Sequence, residues 1–174
     1  MNNSLQTPVT EGKSKVVGWK TLETLRLRWK RQKKTVVWTN GCFDLLHVGH
    51  IRNLQAARRL GDVLVVGLNS DASVRLIKGP MRPIMPEQER AEMVVSLACV
   101  DYVVIFGEDT PEASLALLKP DIHCKGADYA PPNGKPIPEA SLVESYGGCI
   151  VFIPLIPGTS TTDLIRRIKA LKKA

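Results

Sequence analysis

Long apolar runs are missing from this chain: none approaches the ~20 residues that a membrane-spanning helix requires, which excludes a helical membrane span. The opening Met-Asn-Asn-Ser-Leu-Gln-Thr-Pro lacks the basic start and apolar centre of a secretory signal, so the expected compartment is the cytoplasm. No C-x-x-C pair occurs. Cys42, Cys99, Cys124 and Cys149 stand far apart, mostly in apolar runs where a thiol acts as a small hydrophobe, which argues against a zinc site, a redox pair or a disulfide. The G-x-G-x-x-G that marks dinucleotide binding does not follow the first predicted strand. Histidine is scarce too, at three residues, yet two of them stand three apart as His47 and His50.

Net charge is +7, but its location weakens a nucleic-acid reading. Residues 1–34 hold nine Lys or Arg against two Glu, and the remaining residues hold fifteen of each sign. The folded body is expected to be neutral and the basic stretch to form a solvated face, so neither a nucleic-acid nor a membrane partner is predicted. At 174 residues the length suits one compact body. Two parts are expected: a tail with a basic amphipathic helix over residues 1–34, and a folded domain over 35–174. Residues 1–15 have no periodicity and are expected to lack order.

Leu22, Leu25 and Trp29 recur at helical spacing among basic residues, which predicts a helix over 19–33. Short β-rich runs then alternate with helical ones. Strands are predicted over 36–39, 63–68, 102–106, 121–124 and 149–153, with helices over 47–60, 71–77, 86–98, 111–118, 139–146 and 161–171. Continuously apolar strands such as Val-Leu-Val-Val-Gly-Leu belong to a sheet covered on both faces. The fold class is therefore α/β: a doubly wound, Rossmann-like parallel sheet of five strands with helices on both faces. Ligands of such sheets bind beyond the carboxyl ends of the strands.

Four clusters fall at those ends. Thr39-Asn40-Gly41-Cys42-Phe43-Asp44 leads into His47-Val48-Gly49-His50 at a helix start, where free N–H groups favour phosphate. On a helix His47 and His50 would share a face, and Gly49 would let a ligand approach the backbone. Two imidazoles aimed at a phosphate would stabilise charge during displacement. Metal ligation by the pair needs a third ligand, and His123 lies in another strand. Asn69-Ser70-Asp71 and the loop Lys78-Gly79-Pro80-Met81-Arg82-Pro83 form the second cluster, with Lys78 a mobile charge, Arg82 a fork, and Arg90 able to reach back. The third is Lys125-Gly126-Ala127-Asp128-Tyr129, a cation for phosphate and a carboxylate for a sugar hydroxyl. The fourth, Thr159-Ser160-Thr161-Thr162, either caps a helix or binds an anion.

These marks resemble the nucleotidyltransferase superfamily defined by an H-x-G-H motif after the first strand and an S/T-S/T-T motif before the last helix. Within it, the segments 39–50, 69–73, 78–83, 108–111, 120–121, 125–129 and 158–162 are most similar to the heptose 1-phosphate adenylyltransferases. A second possibility is a cytidylyltransferase acting on glycerol 3-phosphate or another phospho-alcohol. Those enzymes tend to carry Arg-Thr where this chain has Leu155 and Ile156.

The resemblance implies transfer of AMP from ATP to D-glycero-β-D-manno-heptose 1-phosphate, giving ADP-heptose for lipopolysaccharide inner core and pyrophosphate. His47, His50 and Lys78 would be catalytic. Thr39, Asn40, Gly41, Cys42, Phe43, Gly49, Asn69, Lys125, Gly126 and residues 159–162 would line the nucleotide. Asp44, Arg82, Arg90, Asp128 and Tyr129 would meet the sugar phosphate. Mg2+ would accompany ATP without a dedicated protein cage. A homo-oligomer, and a stand-alone form served by a separate sugar kinase, are implied as well. A nucleotide-sensing module without turnover is the competing non-enzymatic reading.

Overall fold

A computed structural model describes residues 15–108 and 110–171. The expectation of missing order over 1–15 falls, Lys15 aside, outside the described residues. Five parallel strands, β1 (Val36–Gly41), β2 (Val63–Asn69), β3 (Tyr102–Phe106), β4 (Ile122–Gly126) and β5 (Cys149–Ile153), form one sheet in the order β3-β2-β1-β4-β5. The chain winds outward from β1 to β3, then returns to place β4 on the other side of β1. That reversal opens a crevice at the carboxyl ends of β1 and β4. Helices α1 (Trp19–Arg31), α2 (Val48–Arg58), α3 (Asp71–Lys78), α4 (Glu87–Val95), α5 (Glu112–Leu118), α6 (Ala140–Ser145) and α7 (Thr161–Leu171) connect or flank the strands.

Alternation along the strands sorts the core into two layers. Val37, Leu64, Val66, Leu68 and Val103 pack under Leu54 and Ala57 of α2 and Ala91 and Val94 of α4. Val36, Trp38, Val63, Val65 and Val104 face Leu22 and Trp29 of α1, Leu115 and Leu118 of α5 and Val143 of α6. Each such fully buried aliphatic side chain contributes roughly 1.5–3 kcal/mol. Gly67 makes room for the largest of them: a Cβ there would lie 2.2 Å from the Trp38 ring. Arg26 anchors α1 by donating to the carbonyls of Leu118 and Lys119 and to Asp121. Lys15 and Val17 bond Val103 along the outer edge of β3.

The main departure from the predicted elements lies at α2. His47 takes an extended conformation (φ −140°, ψ 169°) as the residue before the helix, so it does not share a helical face with His50. β4 begins one residue later than predicted and runs on to Gly126, and the Asp121 carboxylate just before it receives the Val36 N–H.

Candidate active site

The crevice is a cavity of about 810 Å3, within the range of small-molecule sites. Every site residue predicted from sequence lines it except Arg90. The ends of β1 and β4, the start of α2, the end of α3 and the loop before α7 thus converge on one space.

Its centre is the histidine pair. The His47 and His50 rings stack with centroids 3.8 Å apart, and Phe43 packs 5.3 Å from His50. Burial holds His47 below the ordinary histidine range. Burial, with the neighbouring His47, pushes His50 down to about 4. Both rings are therefore neutral near pH 7. Nδ1 of each ring and Oδ1 of Asn40 are shielded and have no hydrogen-bond partner among the described residues. Shielded polar atoms without partners are costly, and these three belong to residues lining a single cavity.

Gly49 lies between the two histidines in sequence. A Cβ there would lie 2.5 Å from Thr159 Oγ1 and 2.9 Å from the His47 ring, so the fourth cluster presses directly on the first. In that cluster Thr159 donates to the Ile156 carbonyl (2.7 Å) and Thr161 to that of Leu45 (3.4 Å). Ser160 caps α7, accepting from Asp163 N. Thr162 is exposed at the cavity rim. Thr39, buried in β1, donates to the Cys124 carbonyl.

Two of the predicted ligand groups, Arg90 and Asp44, are engaged by the protein's own groups. Arg90 is fully buried and spends its guanidinium on Met85 O (2.9 Å), Cys42 O (2.5 Å), Asn69 O (2.9 Å) and Asp71 Oδ1 (2.7 Å). It ties the ends of β1 and β2 together from behind and does not reach the cavity. Asp44, 1% exposed, accepts from Arg82 Nε (2.5 Å), Ile84 N and Met85 N. Burial alone would raise its pKa, but the Met85 and Ile84 N–H groups and Arg82 hold it below the usual carboxylate range. Asp44 is thus a latch for the loop after α3, with its acceptors taken. Phe43, between these two anchors, adopts φ 46°, a left-handed strain of roughly 1–3 kcal/mol sustained by its neighbours.

Lys78, at the end of α3, is exposed and forms no ion pair among the described residues, unlike the other cations on the cavity wall. Burial pushes the Cys42 thiol up, which keeps it protonated and unsuited to attack. Asn69 donates to Ser73 Oγ (2.9 Å).

On the opposite wall, Lys125 Nζ lies 2.9 Å from Glu139 Oε1 and 4.4 Å from the Tyr129 ring centroid. Asp128 pairs with Lys135, whose Nζ is 5.2 Å from the same ring. Sequence reasoning missed Glu139 and Asn53, both of which line the cavity. Asn53 sits one turn beyond His50 in α2, and that spacing was the available signal.

An α/β sheet with a neutral histidine pair at the first helix start, and an unpaired lysine on the wall of the same switch-point crevice, is the arrangement of a nucleotidyltransferase. The chain belongs to the cytidylyltransferase-like family, whose profile matches residues 38–167.

Among curated relatives, it is 58% identical over 139 residues to "Bifunctional protein HldE" of Syntrophotalea carbinolica, covering 80% of this chain and 28% of the relative. It is 49% identical over 155 residues to the protein of that name from Trichlorobacter lovleyi, covering 89% and 31%. The chain therefore spans less than a third of the length of these relatives. A solved structure titled lipopolysaccharide core biosynthesis protein, from Thermoplasma volcanium, is 28% identical, with TM-score 0.57 over 71% of this chain and 97% of that one. Pantoate-beta-alanine ligase from Francisella tularensis shares the fold, with TM-score 0.53 at 14% identity, over 90% of this chain and 78% of that one. No helix among the described residues is long and apolar enough to cross a membrane.

Proposed function

We propose that the chain transfers AMP from ATP to D-glycero-β-D-manno-heptose 1-phosphate, giving ADP-heptose and pyrophosphate for lipopolysaccharide core synthesis. The observation that carries the chemistry is the stacked, neutral His47–His50 pair in the cavity that the unpaired Lys78 also lines. The sugar choice rests on the resemblance of the seven motif segments and on the names of the relatives. A sugar 1-phosphate oxygen attacks the α-phosphorus of ATP in line, forming one P–O bond as the bond to pyrophosphate breaks. No covalent enzyme intermediate is required, in keeping with a protonated Cys42. Neutral imidazole N–H groups donate to the α-phosphate as charge gathers, and Lys78 closes over the leaving pyrophosphate. Positioning of the two substrates supplies much of the remaining acceleration.

The cavity carboxylates offer a metal little: Asp44, Asp128 and Glu139 are each paired with a cation. No group of three His, Cys, Asp or Glu fit to hold an ion occurs among the described residues. On this reading Mg2+ would come with the ATP and offset the charge of its phosphates. A kinase acting on the anomeric hydroxyl supplies the sugar 1-phosphate, and the cytoplasm supplies ATP. Thr39–Gly41, Gly49, Gly126 and residues 159–162 form the nucleotide side. Arg82 and Tyr129 face the sugar phosphate.

The test is pyrophosphate release with magnesium, in a grid of ATP or CTP against heptose 1-phosphate or glycerol 3-phosphate. Release confined to ATP with the heptose phosphate is expected. Release with CTP and glycerol phosphate would replace the substrates while keeping the site, and binding of ATP without release under any acceptor would favour a sensing module.

A further inference from the structure

We propose that Glu139 is a positioning residue: it holds the Lys125 ammonium at the cavity wall and thereby sets affinity for the nucleotide. The proposal rests on the adenylyltransferase reading above. Glu139 is 1% exposed and stands immediately before α6, yet its side chain makes no cap bond to that helix. A buried carboxylate is unfavourable unless it is paired and hydrogen-bonded, so its partners explain its presence. Two groups converge on its Oε1: Lys125 Nζ at 2.9 Å and His123 Nε2 at 3.1 Å. Burial keeps His123 below its ordinary pKa, so the charge that balances Glu139 is that of Lys125. Burial alone would raise the Glu139 carboxyl, but the bonds from His123 and Lys125 bring it down to about 2.

Lys125 is the group with access to the ligand. It lines the cavity with 13% of its side chain exposed, while Glu139 reaches the wall with only 1% exposed and His123 is fully buried. A free lysine stem loses much rotamer freedom when it binds a ligand. Here Glu139 on one side and the Tyr129 ring on the other fix the stem in advance, which is preorganisation. An ammonium has three donors. One is spent on Glu139, and the others remain for phosphate or ribose oxygens.

The experiment is a double-mutant cycle on the full chain, reading the ATP dissociation constant by calorimetry for wild type, Lys125→Ala, Glu139→Gln and the double variant. Each single change should weaken ATP about tenfold, the loss of one charge-assisted contact. The double variant should match Lys125→Ala within about twofold. In turnover, Glu139→Gln should raise KM for ATP with kcat within about threefold, a split that general loosening of the fold would not give. Glu139→Asp, which keeps the charge but is one methylene short of Lys125, should show the same loss of affinity and serves if the Gln variant fails to fold. Multiplying effects in the double variant, or unchanged affinity in Glu139→Gln, would overturn the proposal. A wild-type protein that neither binds ATP nor releases pyrophosphate would instead overturn the reading beneath it.

Discussion

Replacing Gly49 by alanine adds one methyl group where the first and fourth clusters touch. That methyl would sit 2.5 Å from Thr159 Oγ1 and 2.9 Å from the His47 ring, against ordinary contacts beginning at 3.4 Å. The Thr159 loop must therefore retreat by about 0.9 Å, or the imidazole must turn aside. Displacement of about 1 Å in a positioned catalytic group costs about 100-fold in rate. Global stability should respond differently, because alanine is favoured over glycine in a helix by up to about 1 kcal/mol and the Thr159 loop lies on the surface. Gly49→Ala should thus fold with an unfolding free energy within about 1 kcal/mol of wild type while pyrophosphate release falls about 100-fold. Steady-state release, with urea unfolding of the same preparation, measures both. Full turnover in Gly49→Ala would refute the close packing of Thr159 on the histidine pair.

Arg90→Met should leave several acceptors, the half-buried Asp71 among them, without their donor. The expected loss is about 3–5 kcal/mol, a fall in Tm of about 6–20 °C by calorimetry. Asp44→Asn should loosen the latch on the loop after α3, with amide exchange at Ile84 and Met85 at least about tenfold faster by mass spectrometry. Stability should also fall on acidification in two stages. His50 titrates near 4 when folded and near the ordinary histidine value of 6.5 when unfolded. The unfolded chain therefore binds more protons between those values, and stability is lost as pH drops from 6.5 toward 4. Glu139 at about 2 when folded, against 4.5 unfolded, extends the loss below pH 4.5. Urea midpoints from pH 7.5 to 3 test both stages, and a midpoint unchanged down to pH 5 would contradict the buried neutral histidine.

What could be read from sequence follows from how local each signal is. The bounds predicted for β3 and β5 match because apolar runs ended by Gly or Pro carry their own limits. The convergence of four clusters followed from the rule for ligands at strand ends. The non-helical backbone of His47 was not legible, since nothing local distinguishes a histidine that begins a helix from one that precedes it. Asp44 and Arg90 appeared as ligands because a charged residue near a site reads the same whether it faces the cavity or braces it. All but one of their partners lie 19 to 48 residues away, so only the folded chain shows which groups consume them. Glu139 left no trace for a similar reason: it sits after a proline-rich loop, and its partners are two strand residues with no periodic relation to it.

The most direct measurement of the central claim is the rate of pyrophosphate release by His50→Ala relative to wild type, with ATP, magnesium and heptose 1-phosphate, after unfolding curves establish that both proteins are folded. The account predicts a loss of about 100- to 1,000-fold, as expected when one donor to the developing charge is removed. A folded His50→Ala protein that turns over at a near-normal rate would contradict it.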